Sequence, residues 1–458
     1  RPSLPRRGNS HLAWEIAGQP LRLTTNMPLT HALDGAPVVV TEPLYFVLSW
    51  GSPFEDELAA VSRDFLDRTI RYWRTWVKHC SIPSRYQAET IRSALALKLH
   101  CFEDTGAILA AATTSLPEEV GGVRNWDYRL CWIRDSYFVL SALNKLGHFE
   151  EMEGFLKFLI RLIGRRDDLD PVYRVDGSAP LPELRHEEWR GWGGSAPVRT
   201  GNQAAEHVQN DAYGELVLAL MPLYVDARFR HLRTPEIDGI LAKLAEGCRR
   251  SIGQPDAGLW EFRDGWKEHT FTNLMCWAGL DRVGRLQAEG LFPALSFDVG
   301  EATRRAAEAV GRGAREGSLR SAPKDASPDA SLLQAVMLRF PDRALAEATV
   351  ETIRAQLRLP DTQGYLYRYL CLDDFGRPQS AFVICSFWLS QALANLGRVD
   401  EARVVFEEAL SAQNRCGLLS EHFDPSRGVQ LGNFPQCYSH VGLINAAFAI
   451  SPSWDEVL

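Results

Sequence analysis

The sequence lacks several features that would assign it to a protein class at once. No run of 18 apolar residues occurs in its 458 residues, so no membrane-spanning helix is predicted. A P-loop, a G-x-G-x-x-G fingerprint, a G-x-S-x-G elbow and an H-E-x-x-H motif are also missing. The nine cysteines include no C-x-x-C pair, which disfavours a zinc site or a disulfide framework. We therefore expect free thiols and a cytoplasmic location.

The sequence also lacks an excess of positive charge. Its 50 Lys and Arg residues face 58 Asp and Glu residues, which gives a net charge of −8. This balance argues against nucleic acid or an anionic membrane as a partner. The opening segment, RPSLPRRGNS, has neither a Met nor an apolar stretch behind its arginines. We expect a chain cut from a longer protein, without an intact signal peptide.

Short strands are predicted near the N-terminus. The segments LRLTT, APVVVTE and LYFVLSW are β-branched or aromatic, and turn residues separate them. Three such strands are too few to bury a sandwich face alone. We therefore predict that residues 1–52 are the remnant of a β-sandwich domain and that residues 53–84 form a linker helix.

A helical period dominates the rest of the chain, predicted as one domain over residues 85–458. The segments LGHFEEM and LGRVDEA each end one helix with Leu-Gly and begin the next with acidic residues. This repeated segment favours a ring or solenoid of helical hairpins. In a closed ring, the loops at one end can converge on a pocket. Beyond the linker helix, the predicted helices lie near 86–102, 134–146, 149–164, 210–225, 234–252, 270–288, 301–313, 330–338, 344–358, 379–396, 399–412 and 439–450.

Long loops rich in aromatic and charged residues connect these helices. The densest is GGVRNWDYRLCWIRDS at 121–136, which contains Trp126, Trp132, Arg134 and Asp135. Aromatic faces can stack on sugar rings, and Asp and Arg side chains can hydrogen-bond neighbouring hydroxyls. The alternative is a buried Arg–Asp pair that holds a loop under aromatic packing.

Two glutamates on separate loops are candidates for acid–base chemistry. Glu261 lies between Trp260 and Phe262, and desolvation by such neighbours raises a carboxyl pKa. Glu421 follows 160 residues later in LLSEHFDP. Glycoside cleavage uses two carboxyl groups, one to protonate the leaving oxygen and one to activate water. Each glutamate could instead be an ordinary loop acid, and His422 is interpreted as a loop hydrogen-bonder.

Two further loops carry candidate binding residues. Gln209 precedes a predicted helix and either caps it or lines a rim for hydroxyl groups. Arg368 lies between two tyrosines, and the Asp373-Asp374 pair after it is interpreted as a solvated turn. No third ligand has the spacing of a metal loop, so no metal is expected.

Taken in order, these loops resemble glycoside hydrolase family 15, and its bacterial branch in particular. The resemblance rests on TGAILAAATTSLPE, RNWDYRLCWIRDSYF, PVRTGN, GLWEFR with HTFTNLMCW, DASLL, AFVICSFWL, and GLLSEHFDP with LGNFPQCYSHVGLINAA. It covers about residue 85 to the end. It implies a mainly α fold, an (α/α)6 barrel of helical hairpins behind part of a β-sandwich. Two segments differ from the family pattern: HTFTNLMCW replaces HFT-x-SK, and His207 stands where many relatives have Gln.

The resemblance also implies an activity and roles for individual residues. It implies an exo-acting, inverting α-glucoside hydrolase that releases glucose and needs no cofactor, with Glu261 as general acid and Glu421 as general base. An inverting enzyme expects its two carboxyl groups roughly 6.5–9.5 Å apart. A trehalase of the same family is the first alternative, and a catalytically silent carbohydrate-binding module is the second. The implied sugar-binding residues are Trp132, Arg134, Asp135, Trp126, Trp260, Arg368 and Gln209.

Overall fold

The protein folds as two compact units in its computed structural model. The structure describes residues 4–51, 56–164, 169–178 and 182–458. One unit comprises Arg1–His79 and the other Cys80–Leu458. None of the helices within these described ranges is long and apolar enough to cross a membrane.

The first unit contains an antiparallel sheet followed by a long helix. The sheet has four strands in chain order, β1 (Arg6–Arg7), β2 (His11–Ile16), β3 (Gln19–Thr25) and β4 (Phe46–Trp50). The helices are α1 (Leu29–Asp34) and α2 (Leu58–Lys78). The carboxylate of Glu57 caps α2, accepting hydrogen bonds from the backbone N–H groups of Ala59 and Ala60 at 3.1 and 2.6 Å.

One predicted strand is wrong. LRLTT lies in β3 and LYFVLSW largely in β4, but residues 36–42 form no strand. Val39 and Val40 are 86% and 65% exposed. Although valine favours strands, these residues have no neighbouring strand with which to form backbone hydrogen bonds. Pro37 and Pro43 bracket the segment and lack the N–H groups that a ladder needs.

The second unit consists of helical hairpins in two layers. The inner helices are α4 (Ser136–Leu146), α6 (Asp211–Leu220), α9 (Thr270–Ala288), α11 (Gln334–Met337, after the 3-10 turn Ala330–Leu333), α13 (Val383–Asn395) and α15 (Cys437–Ile450). The outer helices are α3 (Gln87–His100), α5 (Phe149–Gly164), α8 (Pro235–Ser251), α10 (Val299–Arg312), α12 (Arg343–Leu357) and α14 (Val399–Leu410). The short helices α7 (Pro222–Val225) and α16 (Trp454–Val457) complete the set among the described residues.

The inner helices close into a ring. Helix α4 packs against α6 and α15, α6 against α9, the 3-10 turn against α9, and α13 against both α11 and α15. Left-handed glycines make the tight hairpin turns that the repeated Leu-Gly segments predict. Gly147 has φ 75° between α4 and α5, and Gly397 has φ 88° between α13 and α14. Since each hairpin reverses the chain, the inner helices all begin at one end of the ring.

The loops at that end carry short strands, which brace the segments preceding the inner helices. The largest group is a three-stranded sheet in which His422 pairs with Phe382 on one side and with Leu431 on the other. The short strands are β5 (Thr114–Pro117), β6 (Asn125–Asp127), β7 (Cys131–Trp132), β8 (Val172–Tyr173), β9 (Leu184–His186), β10 (Val198–Thr200), β11 (Ala314–Arg315), β12 (Ser318–Leu319), β13 (Ala381–Phe382), β14 (His422–Asp424) and β15 (Val429–Leu431).

Candidate active site

Two adjoining chambers open among the loops that precede the inner helices. The inner chamber is lined by Trp132, Arg134, Asp135, Phe382, Glu421 and Tyr438, and the outer chamber by Glu118, Trp126, His207, Arg263, Asp373 and Phe375. Both are lined by Tyr128, Trp260, Glu261 and Arg368. Counting the open mouth, the inner and outer chambers enclose about 490 and 510 Å³ of space outside the protein atoms.

Glu261 sits in a tight turn at the junction of the chambers. Its φ is 60°, a left-handed conformation that a residue with a side chain seldom adopts. The turn is closed by the Glu261 N–H, which donates to the carbonyl of Gly258 at 3.1 Å. Strain of this kind costs about 1–3 kcal/mol and is typical of functional residues.

Three side chains donate hydrogen bonds to one oxygen of Glu261. Its Oε1 accepts from Trp132 Nε1 at 2.6 Å, Arg134 Nη1 at 3.0 Å and Gln209 Nε2 at 3.0 Å. The guanidinium of Arg134 also contacts Asp135 Oδ1 at 3.2 Å. Four of the predicted binding residues thus hold the candidate acid, directly or through Arg134.

Glu421 lies buried beside the inner chamber. Its Oε1 accepts from Tyr128 Oη at 2.7 Å and from Gln436 Nε2 at 3.4 Å. Within the part of the chain that the structure describes, its Oε2 has no hydrogen-bond partner. A Cβ at position 432 would lie 2.9 Å from Oε2, and Gly432 has φ 73°, so only glycine fits against this carboxylate.

An aromatic contact links the two glutamates. Tyr128, the donor to Glu421, packs edge-to-face on Trp132, the donor to Glu261, with ring centroids 5.4 Å apart. Edge-to-face geometry of this type is favourable by about 0.5–1.5 kcal/mol. The two carboxylates are therefore held by donors that fix each other.

Glu118 is a third buried carboxylate, and the sequence analysis did not single it out. Its Oε1 accepts from Trp126 Nε1 at 2.7 Å, and its Oε2 accepts from Arg368 Nη2 at 3.1 Å. Burial alone would raise the pKa of Glu118, but the charges of Arg368 and Arg124 lower it to about 2.

The two proposed catalytic carboxyls differ in acidity. Burial and the negative charge of Glu118 raise the pKa of Glu421 to about 8. Burial would also raise the pKa of Glu261, but Arg134 and the donors on Oε1 outweigh it and lower that pKa. The direction for Glu261 is the reverse of the one predicted from its neighbours in the sequence, because Arg134 contacts Glu261 from a different loop.

The outer chamber is walled by a stacked group of side chains. The Arg263 guanidinium lies 4.8 Å from the ring centre of Trp126 and 5.0 Å from that of Phe375. It is held by Glu183 through contacts of 3.2 and 2.7 Å. Cation–π contacts of this kind are favourable by about 0.5–2 kcal/mol, so they stabilise the wall.

The loop at 373–376 completes this wall and corrects the interpretation of Asp373-Asp374. Asp374 is exposed, as a solvated turn implies, and its Oδ2 accepts from the Arg263 N–H at 2.7 Å. Asp373 is instead tied down, since its Oδ1 accepts from Arg124 Nη2 at 2.6 Å and its side chain is 4% exposed. Sequence reasoning missed this pairing because its members are 249 residues apart.

The two site histidines have different environments. His422 fits the predicted hydrogen-bonding role: Nδ1 contacts Ser380 Oγ at 3.0 Å, and Nε2 lies 3.4 Å from Glu118 Oε2. Burial lowers the pKa of His422 to about 3, so it is neutral. His207 lines the outer chamber, and neither of its ring nitrogens has a hydrogen-bond partner in the described parts of the chain.

The remaining predicted residues also lie at the chambers. Trp260 donates through Nε1 to Asp329 Oδ1 at 2.9 Å, and its ring packs on Phe382 at 5.5 Å. The structure thus brings together every residue that the sequence analysis named. Tyr128 was missed, although Trp126 and Tyr128 share the period-two spacing of a strand face, a signal that could have found it.

One group of side chains has the spacing of a metal site. Ligand atoms of Glu118, Glu421 and His422 lie within 4.8 Å of one another. The guanidinium of Arg368 bonds to Glu118 Oε2, and Arg124 Nη1 lies 3.9 Å from the same oxygen. Because these cations already neutralise the carboxylate, the donor set does not favour a metal ion. The expectation of no metal stays a prediction.

Comparison with known proteins gives this geometry a context. Residues 85–448 match the family described as Glycosyl hydrolases family 15. The trehalase of Mycolicibacterium smegmatis is 34% identical over 95% of this chain and 67% of that protein. Those of Mycobacterium tuberculosis and Thermoplasma volcanium are each 33% identical, over 95% and 86% of this chain and 66% and 62% of theirs. The chain thus spans about two-thirds or less of these relatives' length.

Solved structures show the same fold at low identity. A bacterial glucoamylase complexed with acarbose matches with a TM-score of 0.67 and 14% identity, over 96% of this chain and 73% of that one. A protein titled Glycosidase Wild Type matches with a TM-score of 0.60 and 18% identity, over 80% of this chain and 97% of that one. The predicted mainly α barrel of helical hairpins is confirmed.

Proposed function

Because this chain belongs to the glycosyl hydrolases of family 15, we propose that it is an α,α-trehalase. Three relatives named trehalase are 33–34% identical to it over 86–95% of its length. The sequence motifs favour glucan hydrolysis first and trehalose hydrolysis second, and the similarity to these trehalases supports the opposite order. Glucan hydrolysis and trehalose hydrolysis both release glucose from a non-reducing end.

The observation that carries the proposal is the pair of chambers that meet at Glu261. Trehalose consists of two identical glucose units joined through their anomeric carbons. Glu261 lines both chambers, which suits one glucose ring in each and the glycosidic oxygen at the junction. Arg134 and Asp135 in the inner chamber offer donors and an acceptor for sugar hydroxyls.

The outer wall supports a disaccharide rather than a long glucan. Phe375 and Trp126 enclose Arg263, and Arg124 anchors the loop through Asp373. This group limits the space on one side of the outer chamber, which favours a short substrate over a long glucan chain.

The chemistry is a single displacement with two carboxyl groups. Glu261 donates a proton to the glycosidic oxygen as the bond to the anomeric carbon breaks. A water oxygen attacks that carbon from the opposite face, and Glu421 takes the water proton. The products are two glucose molecules, one with inverted configuration.

The acidities favour a second assignment of roles. With the pKa of Glu421 raised to about 8 and that of Glu261 lowered, protonation of Glu421 is favoured over protonation of Glu261 at neutral pH. Hydrolysis as first assigned needs the proton on Glu261 instead. In the exchanged assignment, Glu421 is the acid and Glu261 the base. Kinetics with a leaving group that needs no protonation decides between the two assignments.

A substrate panel tests the proposed function. We expect glucose release from trehalose to exceed that from maltose, isomaltose and maltooligosaccharides. Following the anomers by NMR, inversion gives equal initial amounts of α- and β-glucose from trehalose, whereas retention gives the α-anomer alone. Preferential cleavage of maltooligosaccharides would contradict the proposed trehalase activity and indicate a glucoamylase activity. No release from any sugar, with binding intact, would indicate a silent binding module.

A further inference from the structure

A second cavity lies among four inner helices, α4, α11, α13 and α15. We call it the rear cavity, and it encloses about 780 Å³ of space outside the protein atoms, open mouth included. Lys145, in its wall, belongs to the last turn of α4, whereas Asp135 of the inner chamber caps the first. At 1.5 Å per residue, about 15 Å of helix separates them. The polar lining residues are Tyr137, Ser141, Lys145, Gln334, Gln391, Asn395 and Asn445.

An aromatic layer separates the rear cavity from the inner chamber. Phe138 lines the rear cavity, and its ring lies 5.2 Å from that of Tyr438 and 5.6 Å from that of Trp388. Tyr438 in turn lines the inner chamber. A ligand in the rear cavity would therefore not meet the sugar, and the mechanism above uses none of the polar residues there.

Lys145 is a cation without an acidic partner among the described residues. Its Nζ donates to Asn445 Oδ1 at 2.5 Å and to Ser141 Oγ at 3.1 Å, both neutral acceptors. An ammonium group has three donors, so one remains. Burial lowers the pKa of Lys145 to about 8, and no neighbouring carboxylate opposes this shift. Lys145 is partly buried, and a charge that is partly withdrawn from water is normally paired, because desolvation without a counter-charge is costly.

The neighbouring amides add further donors. Asn445 is 5% exposed, and its Oδ1 already accepts from Lys145 and Ser141, which leaves its amide N–H groups as donors. Gln334 is 2% exposed and lines the same cavity. The described lining contains no Asp or Glu. A cation and amide donors without a carboxylate make a site that matches negative charge.

We propose that the rear cavity binds a small oxyanion, of the sulfate or phosphate type, on Lys145. Charge-assisted hydrogen bonds from the ammonium and amide groups supply the affinity. A neutral sugar fits less well, because sugar hydroxyls call for carboxylate acceptors as well as donors. The bound anion bridges α4 and α15, the helices of Lys145 and Asn445, and so stabilises the closed ring by mass action.

Thermal unfolding and calorimetry of the full chain test this site. Inorganic sulfate is titrated at constant ionic strength, with phosphate and acetate as parallel probes. We expect a saturable rise in Tm and a one-site isotherm for the unmodified protein. Lys145→Gln should weaken sulfate binding at least about tenfold, as loss of a charge-assisted hydrogen bond implies. Lys324→Gln removes the same charge from an exposed residue and should leave binding unchanged.

A second variant separates binding from damage to the fold. Asn445→Asp places a carboxylate beside Lys145, so it should keep or raise the Tm without sulfate and lose the sulfate response. Sulfate also stabilises proteins generally by exclusion from their surface, and that effect does not saturate. A response in Lys145→Gln or Asn445→Asp equal to that of the unmodified protein would overturn the proposal. So would a non-saturable response in all variants. Neither result bears on the proposed trehalase activity.

Discussion

The inner and outer chambers are built in different ways. In the inner chamber, short stretches of sequence supply whole groups of contacts: Trp132 and Arg134 come from one loop and both hold Glu261. In the outer chamber, each ion pair joins a different pair of loops, although the contacts of both chambers join distant parts of the chain. Arg124 pairs with Asp373 across 249 residues, and Arg263 pairs with Glu183 across 80.

This difference suits the inner chamber to the chemical step and the outer chamber to substrate selectivity. The inner chamber holds two carboxylates by several hydrogen bonds each, as proton transfer requires. The outer chamber holds aromatic and charged side chains against one another and so determines the space left for a second ring. We expect substitutions in the inner chamber to lower kcat and those in the outer chamber to act mainly on KM and on substrate preference.

The largest effect is expected for the two catalytic candidates. Glu421→Gln and Glu261→Gln should each lower kcat on trehalose by about 10²–10⁴-fold, since each removes a proton-transfer group. α-D-glucosyl fluoride distinguishes their roles, because fluoride leaves without being protonated. If Glu261 is the acid, Glu261→Gln retains most of its activity on the fluoride and Glu421→Gln does not. Steady-state kinetics on both substrates measures this.

The opposite pattern, with Glu421→Gln active on the fluoride, would exchange the two roles and agree with the pKa directions. Loss of both activities in both variants would indicate that neither carboxyl is a dedicated acid. Normal turnover of trehalose by Glu421→Gln would exclude it from proton transfer altogether.

An intermediate effect is expected at Glu118, which lines the outer chamber and whose charge acts on Glu421 in the inner chamber. Glu118→Gln removes a negative charge that raises the pKa of Glu421, so that pKa falls. Because a base must be ionised, the acidic limb of the kcat/KM profile should move to lower pH. The change also leaves Arg368 without its buried carboxylate, which should lower the free energy of unfolding by about 3–5 kcal/mol.

The exposed neighbour Glu119 gives the matched control, since Glu119→Gln removes the same charge outside the network. We expect no change in either its pH profile or its urea unfolding midpoint. An acidic limb that stays in place in Glu118→Gln would mean that Glu421 does not control it.

The smallest effect is expected in the outer wall. Phe375→Ala removes the ring that packs on Trp126 at 5.0 Å and covers Arg263. A lost aromatic contact is worth about 0.5–1.5 kcal/mol, so KM for trehalose should rise by about 2–10-fold with kcat little changed. α-D-glucosyl fluoride has no second ring, and its KM should not change. Leu372→Ala, at an exposed residue, is the control. An equal change in KM for both substrates would place Phe375 outside the second-ring site.

Much of the barrel could be predicted from the sequence, because the apolar residues of an amphipathic helix recur every three or four positions along the chain. The predicted segments at 149–164, 270–288 and 399–412 correspond to helices Phe149–Gly164, Thr270–Ala288 and Val399–Leu410. Strands are harder, since their stability depends on partners elsewhere in the chain. Residues 36–42 have strand-forming side chains and no neighbouring strand, and they stay irregular.

Sequence alone determined the residue types at the site: Glu261 beside Trp260, Glu421 before His422, and the aromatic-rich loop at 121–136. Only the tertiary structure decided their electrical state. Tyr128 lies 293 residues from Glu421, Glu118 lies 250 from Arg368, and Arg134 lies 127 from Glu261. A pKa depends on charges within a few ångströms in space, and separation along the chain carries no information about that distance. Hence the residues could be named in advance, whereas the directions of their pKa shifts could not.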